Sequence, residues 1–195
     1  MHALPLSDTD RKLFKKLYAS AQDIRMARHC AEHIEKKQLY RPPYARGKIY
    51  LNQGTYVTAL VVAYGRVFAG GRGGYGFPKR LMPYDADELA LHERLLLLRN
   101  KIYAHSDLDI WQAEPWRVDG MRAAKISQPI YAIDEPDIAR FLGMTEKLLA
   151  RIKARESEIL EPYEAAIPHE PGSRSSDEFK TFLEHLEPLK PLKRR

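Results

Sequence analysis

The residues with the clearest capacity for chemistry are Arg99, Asn100 and His105, within the string Arg99-Asn100-Lys101-Ile102-Tyr103-Ala104-His105. An imidazole titrates near neutral pH, so His105 can take or give a proton, and a guanidinium presents a rigid fork of donors to phosphate oxygens. These are the groups that RNA cleavage needs when it proceeds without a metal. The RNA's own 2′-hydroxyl attacks the adjacent phosphate, leaving a 2′,3′-cyclic phosphate and a 5′-hydroxyl. In that chemistry His105 acts as general base or acid, Arg99 stabilises charge developing on the phosphate oxygens, and Asn100 orients the imidazole or the phosphate. No metal and no cofactor are required. The simpler alternative is an Arg99 paired with an acidic side chain and a His105 capping a helix C-terminus, where a cation is favoured.

A second group of residues fits the same substrate. The segment Tyr40 to Lys48, YRPPYARGK, breaks helical periodicity with two prolines and a glycine. It offers Arg41, Arg46 and Lys48 to phosphates and Tyr40 and Tyr44, with Tyr50 just beyond, to bases, a combination suited to single-stranded RNA. A proline-stiffened turn whose charges face water is the competing reading. The charge distribution points to the same part of the chain: residues 1–49 hold eleven Lys or Arg against five Asp or Glu and so account for the whole net charge of +6. Charge alone favours a solvated basic helix.

Other patterns are weaker. His29-Cys30-Ala31-Glu32-His33 matches the H-x-x-E-H of an inverted zinc peptidase, but both histidines lie off the apolar stripe of their helix, so an exposed face is the better reading. Gly70 to Gly76, GGRGGYG, lacks the Lys-Ser or Lys-Thr ending of a phosphate loop and reads as a flexible connector. Glu88, His92 and Arg99 fall near one edge of a helix, too far apart in rise for one site. Tyr18, Tyr56, Tyr64 and Tyr103 occupy helical positions that favour packing, with hydroxyls at the rim.

The elements that must position these groups follow from periodicity. Ser7 to Asp10 supplies N-cap candidates, and Leu13, Leu17, Ile24, Ala31 and Ile34 place a first helix over residues 8–37. A second helix is predicted from Asn52 to Phe68 on the stripe Val57, Leu60, Val61, Tyr64 and Phe68. A third starts at Asp85, is rich in leucine around most of its circumference, and therefore reads as the central helix of a bundle. A fourth opens at Asp134-Glu135-Pro136 and ends before Pro162. Residues 106–133, with Trp111 and Trp116, form an insertion read as a β-hairpin turning at Asp119-Gly120. The fold class is all-α: an up-and-down bundle of four main helices over residues 1–162, the hairpin insertion, and a tail from 163 to 195. In the tail Phe179, Phe182, Leu183 and Leu186 make a short amphipathic helix that needs a docking surface. If the helices alternate in direction, the second begins beside the end of the third, which brings Tyr40 to Tyr50 next to Arg99.

On an ideal helix the step from Arg99 to His105 covers about 240° of rotation and roughly 9 Å of rise, so the two do not share a face. Either the chain bends back before His105 or two subunits complete the site. The Arg, its polar neighbour and a His after five intervening residues, in the string LRNKIYAH at the end of a leucine-rich third helix, resemble a HEPN domain (higher eukaryotes and prokaryotes nucleotide-binding) over roughly residues 8–160. The resemblance implies an all-helical endoribonuclease acting as a homodimer with both motifs facing one cleft, and a setting in toxin and antitoxin pairs or phage defence. It implies RNA as substrate and an antitoxin or inhibitor protein as partner. Tyr two residues after the His, which marks a HEPN toxin subclass modified by a nucleotidyltransferase, is Asp107 here. HEPN members without nuclease activity exist, and the alternative function is a non-catalytic helical module that binds RNA or protein.

Composition sets the frame for both. At 195 residues with 44% hydrophobic side chains, the chain can bury one core. A single cysteine, Cys30, excludes an intrachain disulfide and a cysteine-based zinc site, and fits a reducing compartment. The first residues show no export signal and no apolar run reaches membrane length, so the expected location is the cytoplasm.

Overall fold

The computed structural model describes residues 6–40, 48–69, 76–103, 112–127 and 133–166. Helix α1 spans Asp8–Lys36, α2 Lys48–Phe68, α3 Ala86–Leu98 and α4 Glu135–Leu160. Ser7 caps α1 by accepting from the Asp10 amide at 3.1 Å. Pro136 sits in the first turn of α4, where its missing N–H leaves no bond unmade.

The core is built from one stripe of each long helix. Leu17, Ile24, Ala27, Ala31 and Ile34 of α1 meet Val57, Leu60, Val61 and Tyr64 of α2, and Ile138, Phe141, Leu148 and Ile152 of α4. The α1 and α2 axes run antiparallel: Lys16 Nζ donates to the Val67 carbonyl at 3.0 Å, while His33 stacks on Tyr56 at 3.9 Å. Likewise α4 runs antiparallel to α1, with Arg28 donating to the Leu142 carbonyl at 3.1 Å and the Tyr163 hydroxyl to Asp10 at 3.3 Å. Tyr163 belongs to a 3-10 turn, Glu161–Ala166, that continues the chain after α4.

Helix α1, between α2 and α4, holds the central place, which corrects the expectation for α3. That helix packs along α4 through Glu88 with Lys147 and Arg94 with Asp137. It buries only Glu88, Leu91, His92 and Leu95, and leaves Leu89 and Leu97 42% and 53% exposed. Leucine is a strong helix former on any face, so a leucine-rich circumference reports propensity as much as burial.

Helix α2 starts four residues before the expected Asn52, which places Lys48 and Tyr50 in the helix rather than in the connector. Gln53 helps to seat this end: its Nε2 donates to the Leu39 carbonyl at 2.5 Å in a buried position. The predicted hairpin is present as β1, Gln112–Val118, and β2, Met121–Ser127, with Val118 opposite Met121. Asp119 and Gly120 carry φ of 48° and 78°, the two positive values that a two-residue type I′ turn requires. Trp116 is 56% exposed on β1, while Trp111 and the predicted tail helix lie outside the described residues. No helix among the described residues is long and apolar enough to cross a membrane.

Candidate active site

Helix α3 is fixed at its start by a capping box. Asp85 accepts from the Glu88 amide at 2.9 Å, and Glu88 accepts from the Asp85 amide at 3.0 Å. At its other end the helix widens into a π-turn, Arg99–Tyr103. Such turns are rare and recur at functional sites, because the extra residue re-aims the side chains around it.

Arg99 lies in a notch on α2. A Cβ at Gly65 would stand 2.7 Å from Arg99 Cγ and 3.1 Å from its Cδ, so the absent side chain is what lets the arginine stem pass. One terminal nitrogen of Arg99 donates to Asn100 Oδ1 at 2.9 Å, and its Nε is buried with no partner among the described groups. No described carboxylate pairs with Arg99, whereas Arg28, Arg66, Arg94, Arg140 and Arg155 each have one. Asn100 is exposed beside it. The pair therefore presents a partly desolvated guanidinium, steadied by its neighbour's amide, at the surface of the bundle.

His105 lies outside the described residues, as do Arg41, Tyr44 and Arg46. Lys48 opens α2, and the Tyr40 hydroxyl donates to Glu135 at 3.1 Å. Simple alternation of the helices places the start of α2 beside Arg99, and here the structure differs. The α3 end meets α2 near its C-terminal part, at Tyr64 and Gly65. Gly65 is seventeen residues beyond Lys48, or about 25 Å of helical rise. The physical reason is the notch: the missing side chain at Gly65 leaves the space in which the Arg99 stem is seated.

Behind the notch is a buried polar chain. Tyr64 is fully buried, its hydroxyl 2.8 Å from His92 Nδ1 and 3.1 Å from the Tyr84 hydroxyl, rather than at the rim where sequence placed it. Phe68 stands edge-on to the His92 ring at 4.6 Å. Burial pushes both phenols well above their ordinary range, with Glu88 adding to the effect, and lowers the His92 imidazole. Glu88 turns instead to Lys147 at 2.7 Å, so Glu88, His92 and Arg99 serve separate contacts. Tyr18 is exposed, contrary to the packing expected of it.

The residues of the H-x-x-E-H pattern are also separately engaged. His29 is exposed, Glu32 accepts from Arg28 at 2.9 Å, and His33 is half-buried on Tyr56. Among the described residues no group of three or more His, Cys, Asp or Glu could hold a metal ion. Sequence reasoning missed Gly65. Its signal was available: a lone glycine inside an apolar helical run costs about 1 kcal/mol against alanine and often marks close approach by another group. Comparison with known protein families, with characterised proteins and with solved structures finds no match to this chain.

Proposed function

We propose that the protein is an endoribonuclease of the HEPN type, cleaving single-stranded or loop RNA without a metal. The observation that carries the reading is Arg99 itself: a cation with no described carboxylate partner, seated on Gly65 and bonded to Asn100 at the π-turn that leads towards His105. A half-buried guanidinium without a counter-ion is poised for an anion, and a phosphodiester supplies one.

In the reaction the 2′-oxygen forms a bond to phosphorus as the bond to the 5′-oxygen breaks. His105 of one copy takes the 2′-hydroxyl proton, and His105 of a second copy gives a proton to the departing 5′-oxygen. Arg99 balances the charge that grows on the non-bridging oxygens, and Asn100 steadies Arg99. This division of labour accounts for the motif spacing, because two copies facing one cleft supply both an acid and a base. Arg41, Arg46 and Lys48, with Tyr40 and Tyr44, extend the surface for the flanking strand. A defence or toxin role, with a protein inhibitor that restrains the activity, follows from the resemblance.

The test is incubation of purified protein with RNA in the presence of EDTA, beside Arg99→Ala and His105→Ala. The expected result is cleavage to 2′,3′-cyclic phosphate ends by the parent, with losses of about 100-fold or more in each variant. Binding without cleavage by the parent would favour a non-catalytic RNA-binding module, and parental rates in both variants would remove Arg99 and His105 from the site.

A further inference from the structure

A second cationic site lies at the opposite end of α4 from Asp137 and Arg94. On α4, Arg151, Ala154, Arg155 and Glu158 recur at helical spacing and form one face. Opposite them runs the short 3-10 turn Lys79–Leu81, anchored by Leu81, which is only 8% exposed. That anchor holds Arg80 at the surface. The two elements enclose a cleft of about 390 Å³ lined by Arg80, Arg151 and Arg155, with Leu81 and Ala154 as its apolar part and Glu158 at its edge.

Among the described residues the charge in this cleft is only partly compensated. One turn earlier on α4, Lys147 is matched by Glu88 at 2.7 Å and Asp85 at 3.9 Å. Within the cleft Arg155 takes Glu158 at 2.6 Å, which leaves Arg80 and Arg151 without a carboxylate partner among the described residues. Three guanidiniums against one carboxylate give a local charge of +2, and like charges lining one concavity repel unless an anion sits between them. The volume lies in the range of small-ligand sites.

We infer that this cleft binds a phosphate group, with Arg80 and Arg151 as its two principal donors. A terminal phosphate carries nearly two negative charges and three acceptor oxygens at neutral pH, and a strand phosphodiester one charge and two free oxygens; either can sit between two guanidinium forks arriving from different elements. The group can come from a small phosphorylated molecule or from an RNA strand. The site is independent of the nuclease reading, since Arg151 lies about 21 Å along α4 from Asp137, which pairs with Arg94 in the last turns of α3 before Arg99.

The experiment is calorimetric titration of the full chain with inorganic pyrophosphate at low salt. Arg80→Gln and Arg151→Gln are compared with Arg117→Gln, an exposed arginine of the hairpin, and circular dichroism checks that each variant is folded. Saturable binding by the parent, weakened about tenfold or more in the two cleft variants and unchanged in Arg117→Gln, is the result expected. A ten-nucleotide RNA then separates the sources: competition between it and pyrophosphate, with the same variant losses, identifies a strand phosphate. RNA binding indifferent to both variants identifies a small phosphorylated ligand. Absence of saturable binding by the parent, equal affinity across all variants, or malonate bound as tightly as pyrophosphate would overturn the assignment.

Discussion

A methyl group at position 65 would stand 2.7 Å from Arg99 Cγ, which is not the free end of a side chain and cannot swing aside cheaply. Gly65→Ala is therefore expected to displace the Arg99 stem and lower RNA cleavage by about tenfold. Its stability should fall by about 0–2 kcal/mol, because the roughly 1 kcal/mol gained in helix propensity offsets only part of a crowding cost of ~1–3 kcal/mol. Cleavage rate and thermal midpoint, measured together, check this; a parental rate would show that Gly65 does not hold Arg99. His92 supports a second expectation. Burial holds its imidazole below the ordinary value of about 6.5, so below that pH the unfolded chain takes up a proton that the folded chain refuses. Stability is then undiminished above about pH 6.5 and is lost as pH falls through the lowered folded value. Of the neighbouring charges, Glu93 opposes this shift and Lys79 adds to it. Urea unfolding at about pH 7.5 and about pH 5.5 should show a fall that is smaller in His92→Gln, which keeps a polar partner for Tyr64 but cannot titrate.

The helices were legible because caps and stripes act locally. Ser7 and Asp85 accept from amides three residues on, and Asp119-Gly120 adopts the positive φ pair that hairpins demand. The place of α3 in the bundle was not legible, since a leucine-rich circumference reads as a central helix while Leu89 and Leu97 face solvent. Being peripheral, α3 depends on its cap more than a central helix would. Asp85→Ala should cost about 1 kcal/mol of global stability. It should also speed amide hydrogen exchange in the first turn of α3 well above that of α1, and equal exchange in both would show that the capping box contributes nothing. The axial position of α3 along α2 was not legible either: His92 on Phe68 and Arg99 at Gly65 keep the two helices antiparallel, but Arg99 meets α2 seventeen residues beyond Lys48.

At the scale of the whole molecule, Cys30 serves as a reporter. It is buried in the core face of α1, and burial raises its thiol above the ordinary range. Alkylation should be slow under native conditions and should keep pace with global unfolding measured in urea; fast modification without unfolding would mean that α1 opens locally. Local pattern carried the four helices, the stripes of α1 and α2, the hairpin turn and the Arg99 to His105 string, because periodicity, capping and turn chemistry act within a few residues. Packing settled which helix is central, that Gly65 seats Arg99, that Tyr64 turns inward to His92 and Tyr84, and that Arg80 joins Arg151 and Arg155 in one cleft. Each of these joins residues distant in the chain, through a contact set by how closely two backbones pack, and no local pattern encodes that distance.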